Sequence, residues 1–263
     1  MPKETFGGDD EGGAAPAEQK RKLDLSRFSK GQDMNIREVF WEVASAYASG
    51  ENPSAELAKL SNERIALTRV AIGAVGSPSP LHGRLTPNRI AACALMMMLD
   101  AGWEDCFVEM LEECERREPQ RNAVVGGLKR LCAEKEYSER AIASLRAMLR
   151  SRDNSPTALR YLGGMKSPGL VREMKRELII FARGDIGENQ LNAIALLSML
   201  GKDEDVLRTM ALLLSHWDES ARKAAAAVLL KAKGEEASAA AKRRLEKETD
   251  PEVRAMLQKV AKG

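Results

Sequence analysis

The sequence predicts an all-α protein, organised as a solenoid of stacked antiparallel helix pairs. Strong helix formers such as Ala, Leu, Glu, Lys and Arg are abundant, whereas aromatic residues make up only 4% of the 263 residues. Helix openings recur at intervals of 30 to 34 residues over the last two thirds of the chain. A chain of 263 residues buries enough surface for a core that needs neither metal ions nor disulfides, and a hydrophobic share of 44% is typical of globular proteins.

The chain begins with a segment that lacks hydrophobic periodicity. Residues 1–32 are rich in Gly, Pro and charged side chains, so we expect a disordered tail, with a single folded domain over 33–263. Helical periodicity begins near Met34. The positions that follow one amphipathic face are Ile36, Val39, Phe40, Val43 and Tyr47. A second helical stretch is predicted over 54–75, and the proline-rich segment 76–87 is predicted to be a loop.

Six segments with similar openings follow this loop. They open at Asn88, Asn122, Pro156, Asn189, Glu219 and Asp250. Each is predicted to begin the first helix of a pair, and the second helices are predicted at 103–117, 137–151, 168–183, 203–216 and 235–248. One helix pair cannot bury its apolar face alone, so successive pairs are expected to stack.

Capping residues stand where these helices should begin and end. Asp218 and Asp250 occupy predicted N-cap positions, and Pro251 follows at the first helical position. Gly201 and Gly234 come just after predicted helix ends, where a left-handed residue closes the last turn.

Two C-terminal stretches resemble a known repeat. DESARKAAAAVLLKAKG (218–234) and DPEVRAMLQKVAKG (250–263) resemble the first helix of HEAT repeats, in which Asp-Pro-x-Val-Arg precedes small residues, an apolar turn and Gly. NAIALLSMLGKDEDVLRTMALLL (192–214) is similar to the end of such a helix and its partner. The resemblance is good over 189–263 and loose over 88–188. It implies a right-handed HEAT-like solenoid that binds other molecules, without implying one activity.

Motifs for catalysis and cofactor binding are missing from the sequence. His82 and His216 are far apart, and there is no H-E-x-x-H, Cys-x-x-Cys or G-x-S-x-G motif. The His-Glu pairs of HEAT-like metal hydroxylases are also missing. We therefore expect no enzyme activity, no cofactor and no metal. Close helix packing is the expected role of Gly126-Gly127 and Gly163-Gly164.

The cysteines and the apolar runs predict a cytoplasmic protein. Cys93, Cys106, Cys114 and Cys132 lie in predicted helices without pairing motifs, which favours buried free thiols in a reducing compartment. The first residues lack the apolar core of a signal peptide, and the longest apolar run, 90–99, is too short to span a bilayer. No membrane partner is expected.

Positive charge is concentrated in the middle of a chain whose net charge is only +2. Residues 137–183 contain ten basic and four acidic side chains. Arg146 and Arg150 should stand one above the other on one second helix, next to a row of arginines on the following one. The predicted partner-binding residues are Arg140, Arg146, Arg150, Arg172, Lys175, Arg176, Arg183 and Trp41.

Two functions from different classes remain open. The first is a non-catalytic scaffold that holds an acidic protein partner on the face of the second helices. The alternative is nucleic-acid binding through the arginines; glycosylase chemistry is disfavoured because Trp103 and Trp217 lie at element ends rather than on the basic helices. Pairing of the arginines with Asp153, Glu173 and Glu177 would leave no charged patch. Trp41 either packs on the next segment or anchors the partner.

Overall fold

The fold is entirely helical in the part of the chain that the computed structural model describes, residues 35–50, 58–76, 85–99, 104–135, 137–184 and 187–262. These residues contain no strand and fourteen α-helices: α1 (Ile36–Ala48), α2 (Arg64–Gly76), α3 (Pro87–Met98), α4 (Glu104–Glu115), α5 (Glu118–Ala133), α6 (Ser138–Arg150), α7 (Ser155–Met165), α8 (Pro168–Glu173), α9 (Lys175–Gly184), α10 (Glu188–Leu197), α11 (Glu204–Leu213), α12 (Glu219–Ala232), α13 (Glu235–Leu245) and α14 (Pro251–Lys262). Two 3-10 segments are Ala58–Glu63 and Ser198–Leu200. The predicted all-α class is confirmed.

The helices contact one another in two successions. In the first, which we call the first-helix row, each helix contacts the next in the order α3, α5, α7, α10, α12 and α14. In the second, the second-helix row, α6, α9, α11 and α13 contact one another in turn. Contacts such as α5 with α6 and α9 with α10 join the rows. This arrangement is compatible with a helical-repeat solenoid.

Helix starts agree with the predicted period to within a few residues. The largest offset is at α5, which begins at Glu118 instead of Asn122 because Pro119 stands in its first turn, where the missing amide costs no intrahelical bond. The predicted helix 168–183 is divided at Met174, whose backbone angles (φ −100°, ψ 4°) leave the helical region. The predicted tail 1–32, His82 and Trp103 lie outside the described residues.

Helix α3 lies at the centre of the packing. Every residue from Ile90 to Leu99 is buried, because α1, α2, α4 and α5 all contact this helix. A helix that is apolar on all sides is buried on all sides. The predicted core residues of the later repeats, Leu196, Leu197, Leu213 and Leu229, are buried as well.

A close approach of two backbones explains one glycine pair. A Cβ atom on Gly127 would lie 2.7 Å from the Ala92 nitrogen and 2.9 Å from the Ala91 carbonyl carbon, so α5 can approach α3 only with glycine there. A Cβ on Gly126 would meet the Asn88 side chain at 2.5 Å. The packing role predicted for this pair is confirmed.

The first and the last described helices, α1 and α14, bury different sets of residues. In α1, the predicted stripe is buried apart from half-buried Ile36, and Trp41 is only 6% exposed, with its ring 5.3 Å from that of Phe40. Trp41 therefore packs in the core and is not an exposed anchor. In α14, the inward residues are Val253, Leu257 and Val260, and the exposed ones include Glu252, Gln258, Lys259 and Lys262, as predicted.

The two predicted N-caps are present, whereas Gly201 and Gly234, with ψ angles of −107° and 169°, do not adopt the predicted left-handed helical conformation. Asp218 accepts a hydrogen bond from the Ser220 amide at 3.1 Å, and Asp250 accepts one from the Val253 amide at 2.7 Å. Gly201 and Gly234 have positive φ angles of 61° and 115°, which glycine adopts without strain. A search of the described helices finds none with the length and apolar character to cross a membrane.

Candidate binding surfaces

Two arginines of the predicted patch form ion pairs between helices. Arg150 donates to Glu177 at 2.7 Å, and the Arg146 guanidinium lies 3.5 Å from the same carboxylate. Arg146 also donates to the Glu173 carbonyl at 2.8 Å. The Glu177 side chain is only 10% exposed, whereas the Arg150 side chain is 68% exposed, so the pairs link α6 to α9 while Arg150 stays at the surface. Arg146 and Arg150 therefore have partners within the fold, and a partner-binding role for them stays a prediction.

Lys175 is also engaged. Its ammonium lies 3.0 Å from an Asp203 oxygen and 2.8 Å from Asp205, which ties α9 to the start of α11. Hydrogen bonds to Asp205 and Asp203 raise the pKa of Lys175. Burial acts to raise the pKa of Asp203, but hydrogen bonds from Lys175 and from backbone amides outweigh it, and the pKa is lowered. Lys175 is a link between helices.

Arg140 belongs to an aromatic cluster. Its guanidinium stands 5.3 Å above the Tyr137 ring, and that ring contacts Tyr47 edge to face at 6.3 Å. The Tyr47 hydroxyl donates to Glu134, 2.8 Å away. The cluster joins α1 to the turn between α5 and α6.

The remaining predicted arginines are available. Arg172, Arg176 and Arg183 are exposed, and no ion pair involves them within the described residues. Ile180 lies one turn after Arg176 and three residues before Arg183, and it is 67% exposed. A large aliphatic side chain thus stands in water between two arginines.

The next second helix repeats this arrangement. Arg208 is exposed without an ion pair to any described residue, and Leu212, four residues later, is 55% exposed. Arg208 and Leu212 each follow their α9 counterparts, Arg176 and Ile180, by 32 residues, which is one repeat. We call the surface formed by Arg176, Ile180, Arg183, Arg208 and Leu212 the α9–α11 face. Sequence reasoning missed Ile180 and Leu212, although both lie off the buried stripes of their helices.

The first-helix row carries a groove of about 610 Å³. Helices α5, α7 and α10 contribute most of its lining, and Glu115 of α4 lines it as well. The groove is lined by Glu115, Arg121, Asn122, Val125, Leu159, Arg160, Tyr161, Gly163, Gly164, Lys166, Asn192, Ala195, Leu196 and Met199. Nothing in the helical periodicity identifies this groove, since it depends on how three helices meet.

Trp217 is the most exposed large hydrophobic residue in the described chain, at 71%. Its backbone is held firmly, because the Arg222 guanidinium donates to the carbonyls of His216 and Trp217 at 3.1 and 3.0 Å. The imidazole of His216 lies 5.4 Å from the indole ring. The His216 Nε2 atom is 3.5 Å from the amide nitrogen of Gln190. The same nitrogen donates a hydrogen bond to the carbonyl of Ala182, so the end of α9 lies nearby.

Three of the four thiols lie in environments that disfavour the thiolate. Burial raises the pKa of Cys93, and burial followed by the charge of Glu113 raises that of Cys114 to about 11. Burial also raises the pKa of Cys132 to about 11. Reactive cysteines have lowered pKa values instead. Among the described residues, no group of three His, Cys, Asp or Glu side chains could hold a metal ion.

Comparisons with known proteins leave the family open. No family model matches the chain, and a search of curated proteins found no match. Among solved structures, a crystal structure of an engineered protein from the Northeast Structural Genomics Consortium aligns with a TM-score of 0.39 and 14% sequence identity. The alignment covers 90% of this chain, which spans 66% of the length of that protein. The function therefore has to be inferred from the surface residues of this chain.

Proposed function

We propose that the chain is a non-catalytic binding scaffold, a right-handed HEAT-like solenoid of antiparallel helix pairs that holds an acidic protein partner on its second-helix row. The recurring period of the helix starts and the contacts within each row support this architecture. The four free cysteines fit the cytoplasm, where we expect the scaffold to act.

The observation that carries the proposal is the α9–α11 face. Ile180 and Leu212 are exposed at equivalent positions of adjacent helices, each four residues after an exposed arginine. Full burial of such a side chain contributes roughly 1.5–3 kcal/mol. Arginine adds forked hydrogen bonds to carboxylates. A partner helix with an apolar stripe flanked by Asp or Glu fits both features.

Ion pairs between neighbouring helices stabilise the helices that form the α9–α11 face. Arg146 and Arg150 bind Glu177 on α9, and Lys175 connects α9 to Asp203, which caps the start of α11. These links hold α6, α9 and α11 in register. Because a rigid surface loses less conformational freedom on binding, the links favour affinity without contacting the partner.

Nucleic-acid binding is the second candidate. The exposed arginines Arg172, Arg176, Arg183 and Arg208 could contact phosphates. Phosphate contacts would not cover the exposed apolar side chains of Ile180 and Leu212. A protein partner can cover them and is therefore favoured. A steep decrease of duplex DNA affinity with salt would support the second candidate, since each neutralised phosphate releases counterions.

A pair of charge-reversal variants tests the proposal. The first changes Arg176, Arg183 and Arg208 of the α9–α11 face to Glu; the matched control changes Arg254, Lys259 and Lys262 of α14, which are also exposed. Using the partner captured from the native cell, we expect an affinity loss of at least about tenfold for the first variant and none for the control. Equal affinities of both variants and the unmodified chain would refute the proposal.

A further inference from the structure

The groove on the first-helix row has an apolar floor across three successive helix pairs. Val125 of α5 and Leu196 of α10 line it, with Met199 just beyond α10. Val125 and Met199 are only partly buried. The groove therefore offers apolar surface that the packing of the row does not use.

Two unpaired amides stand on opposite sides of this floor. Asn122 lies on α5 and Asn192 on α10, with α7 between these helices in the row. Neither side chain has a hydrogen-bond partner among the described residues. An asparagine amide both donates and accepts, which matches the N–H and C=O groups of a peptide backbone. A helix bonds these groups internally, so a ligand that uses both amides has to be extended.

The charges of the groove favour an acidic ligand. Arg121 and Lys166 are exposed and form no ion pair with any described residue. Arg160 forms a two-point ion pair with Glu115, so these two charges offset each other. The two unpaired cations remain, one on α5 and one at the end of α7.

Gly163 has no role in the packing that we can identify. It lies within α7, is exposed and has no atom within 4 Å of the position a Cβ would take. The adjacent Gly164 differs, since its Cβ would lie 2.9 Å from Val125. Glycine inside a helix costs roughly 0.5–1 kcal/mol relative to alanine. Gly163 is thus unfavourable for α7 but keeps the groove open.

We propose that this groove binds an extended acidic segment of a partner protein, with Asn122 and Asn192 bonding its backbone and Arg121 and Lys166 its carboxylates. The site uses residues of the first-helix row only. It is therefore separate from the α9–α11 face and can exist whether or not that face binds a partner.

The test compares two glycine substitutions in the full chain. Gly163→Leu fills the groove, and Gly73→Leu is its matched control, because Gly73 is also exposed in a helix interior with nothing within 4 Å of a Cβ. Random peptides of about nine residues displayed on phage are panned against the unmodified chain. We expect selected peptides rich in Asp and Glu. Their affinity should decrease at least about tenfold in Gly163→Leu and stay unchanged in Gly73→Leu.

Three results would overturn the site. Panning could yield no enrichment in Asp or Glu, or the selected peptides could bind Gly163→Leu as well as the unmodified chain. A short DNA duplex that displaces the peptides and itself loses affinity in Gly163→Leu would assign the groove to nucleic acid. Thermal unfolding of both variants provides the folding control, since leucine is favoured over glycine in a helix.

Discussion

Arg222 and Glu248 form a buried two-point ion pair, with Nε–Oε2 and Nη2–Oε1 distances of 2.9 and 3.0 Å. Glu248 also accepts hydrogen bonds from Arg244 and from the Asp250 amide. Arg222 reaches back to the Trp217 carbonyl. One carboxylate thus fixes the loops before α12 and α14, and indirectly the position of the exposed Trp217.

Removal of Glu248 should be strongly destabilising. Glu248→Ala leaves the Arg222 guanidinium buried without its counter-charge, and we expect the free energy of unfolding to decrease by roughly 3–5 kcal/mol. Urea unfolding measures the change. Glu246→Ala is the control, because Glu246 is exposed and should change stability by less than about 0.5 kcal/mol. Equal stability of the two variants would show that the pair is unimportant.

The same carboxylate should make stability pH-dependent. Burial acts to raise the pKa of Glu248, but hydrogen bonds from Arg222, the Asp250 amide and Arg244 outweigh it and lower the pKa to about 2. Because the folded-state pKa lies below the unfolded one, the stabilisation is complete above roughly pH 5 and decreases as pH falls toward 2.

Glu248→Gln allows this dependence to be measured. We expect a large stability difference between the unmodified chain and Glu248→Gln at pH 7, and a smaller one at pH 3, where the carboxylate of the unfolded chain is protonated. Chemical unfolding at both pH values gives the two differences. A constant difference would mean that the ionised form of Glu248 has no special stability.

Two glycine-to-alanine substitutions should have opposite effects. Gly127→Ala pushes a methyl group against the backbone of α3, and we expect a loss of roughly 1–3 kcal/mol. Gly73→Ala meets no atom within 4 Å, so the reduced freedom of the unfolded chain should raise stability by about 0.4–1 kcal/mol. Thermal unfolding of both variants checks the signs. A gain for Gly127→Ala would contradict the close approach of α3 and α5.

Most of the fold was predictable because it depends on local periodicity. The starts of α12 and α14 follow from apolar spacing and from the N-caps Asp218 and Asp250, which act within one helix. The ion pairs of Arg146 and Arg150 with Glu177 could be named only as an alternative, since the residues lie 31 and 27 positions apart and meet only through the register of two packed helices. Pairing of the arginines with Asp153, Glu173 and Glu177 was an open alternative, and it is observed for Arg146 and Arg150 with Glu173 and Glu177.

The candidate sites were only partly predictable for the same reason. The free cations Arg176 and Arg183 could be read from composition and helix spacing. Ile180 and Leu212 could have been found as apolar residues off the buried stripes. The groove around Gly163 could not, because both its depth and its openness depend on the packing of three helices.

The cysteines should resist alkylation in the folded chain. Cys93 is completely buried, so the alkylating reagent cannot reach it. Burial also raises its pKa, so the reactive thiolate does not form near pH 8. Cys132 is only partly buried and should react first, although slowly. Iodoacetamide labelling followed by peptide mass spectrometry measures the order. Rapid labelling of Cys93 without denaturant would contradict its place in the core.

Photocrosslinking at Ile180 tests the central claim most directly. Benzoylphenylalanine replaces Ile180 or Leu212 on the α9–α11 face, and replaces Ile65, which is 53% exposed on α2, as the control. The variants are irradiated in the native cell and the crosslinked peptides are identified by mass spectrometry. We expect one protein to be captured at both 180 and 212 through a segment rich in Asp and Glu, and not at 65. Equal capture of the same proteins at all three positions, or no capture at 180 and 212, would contradict a partner-binding role for this face.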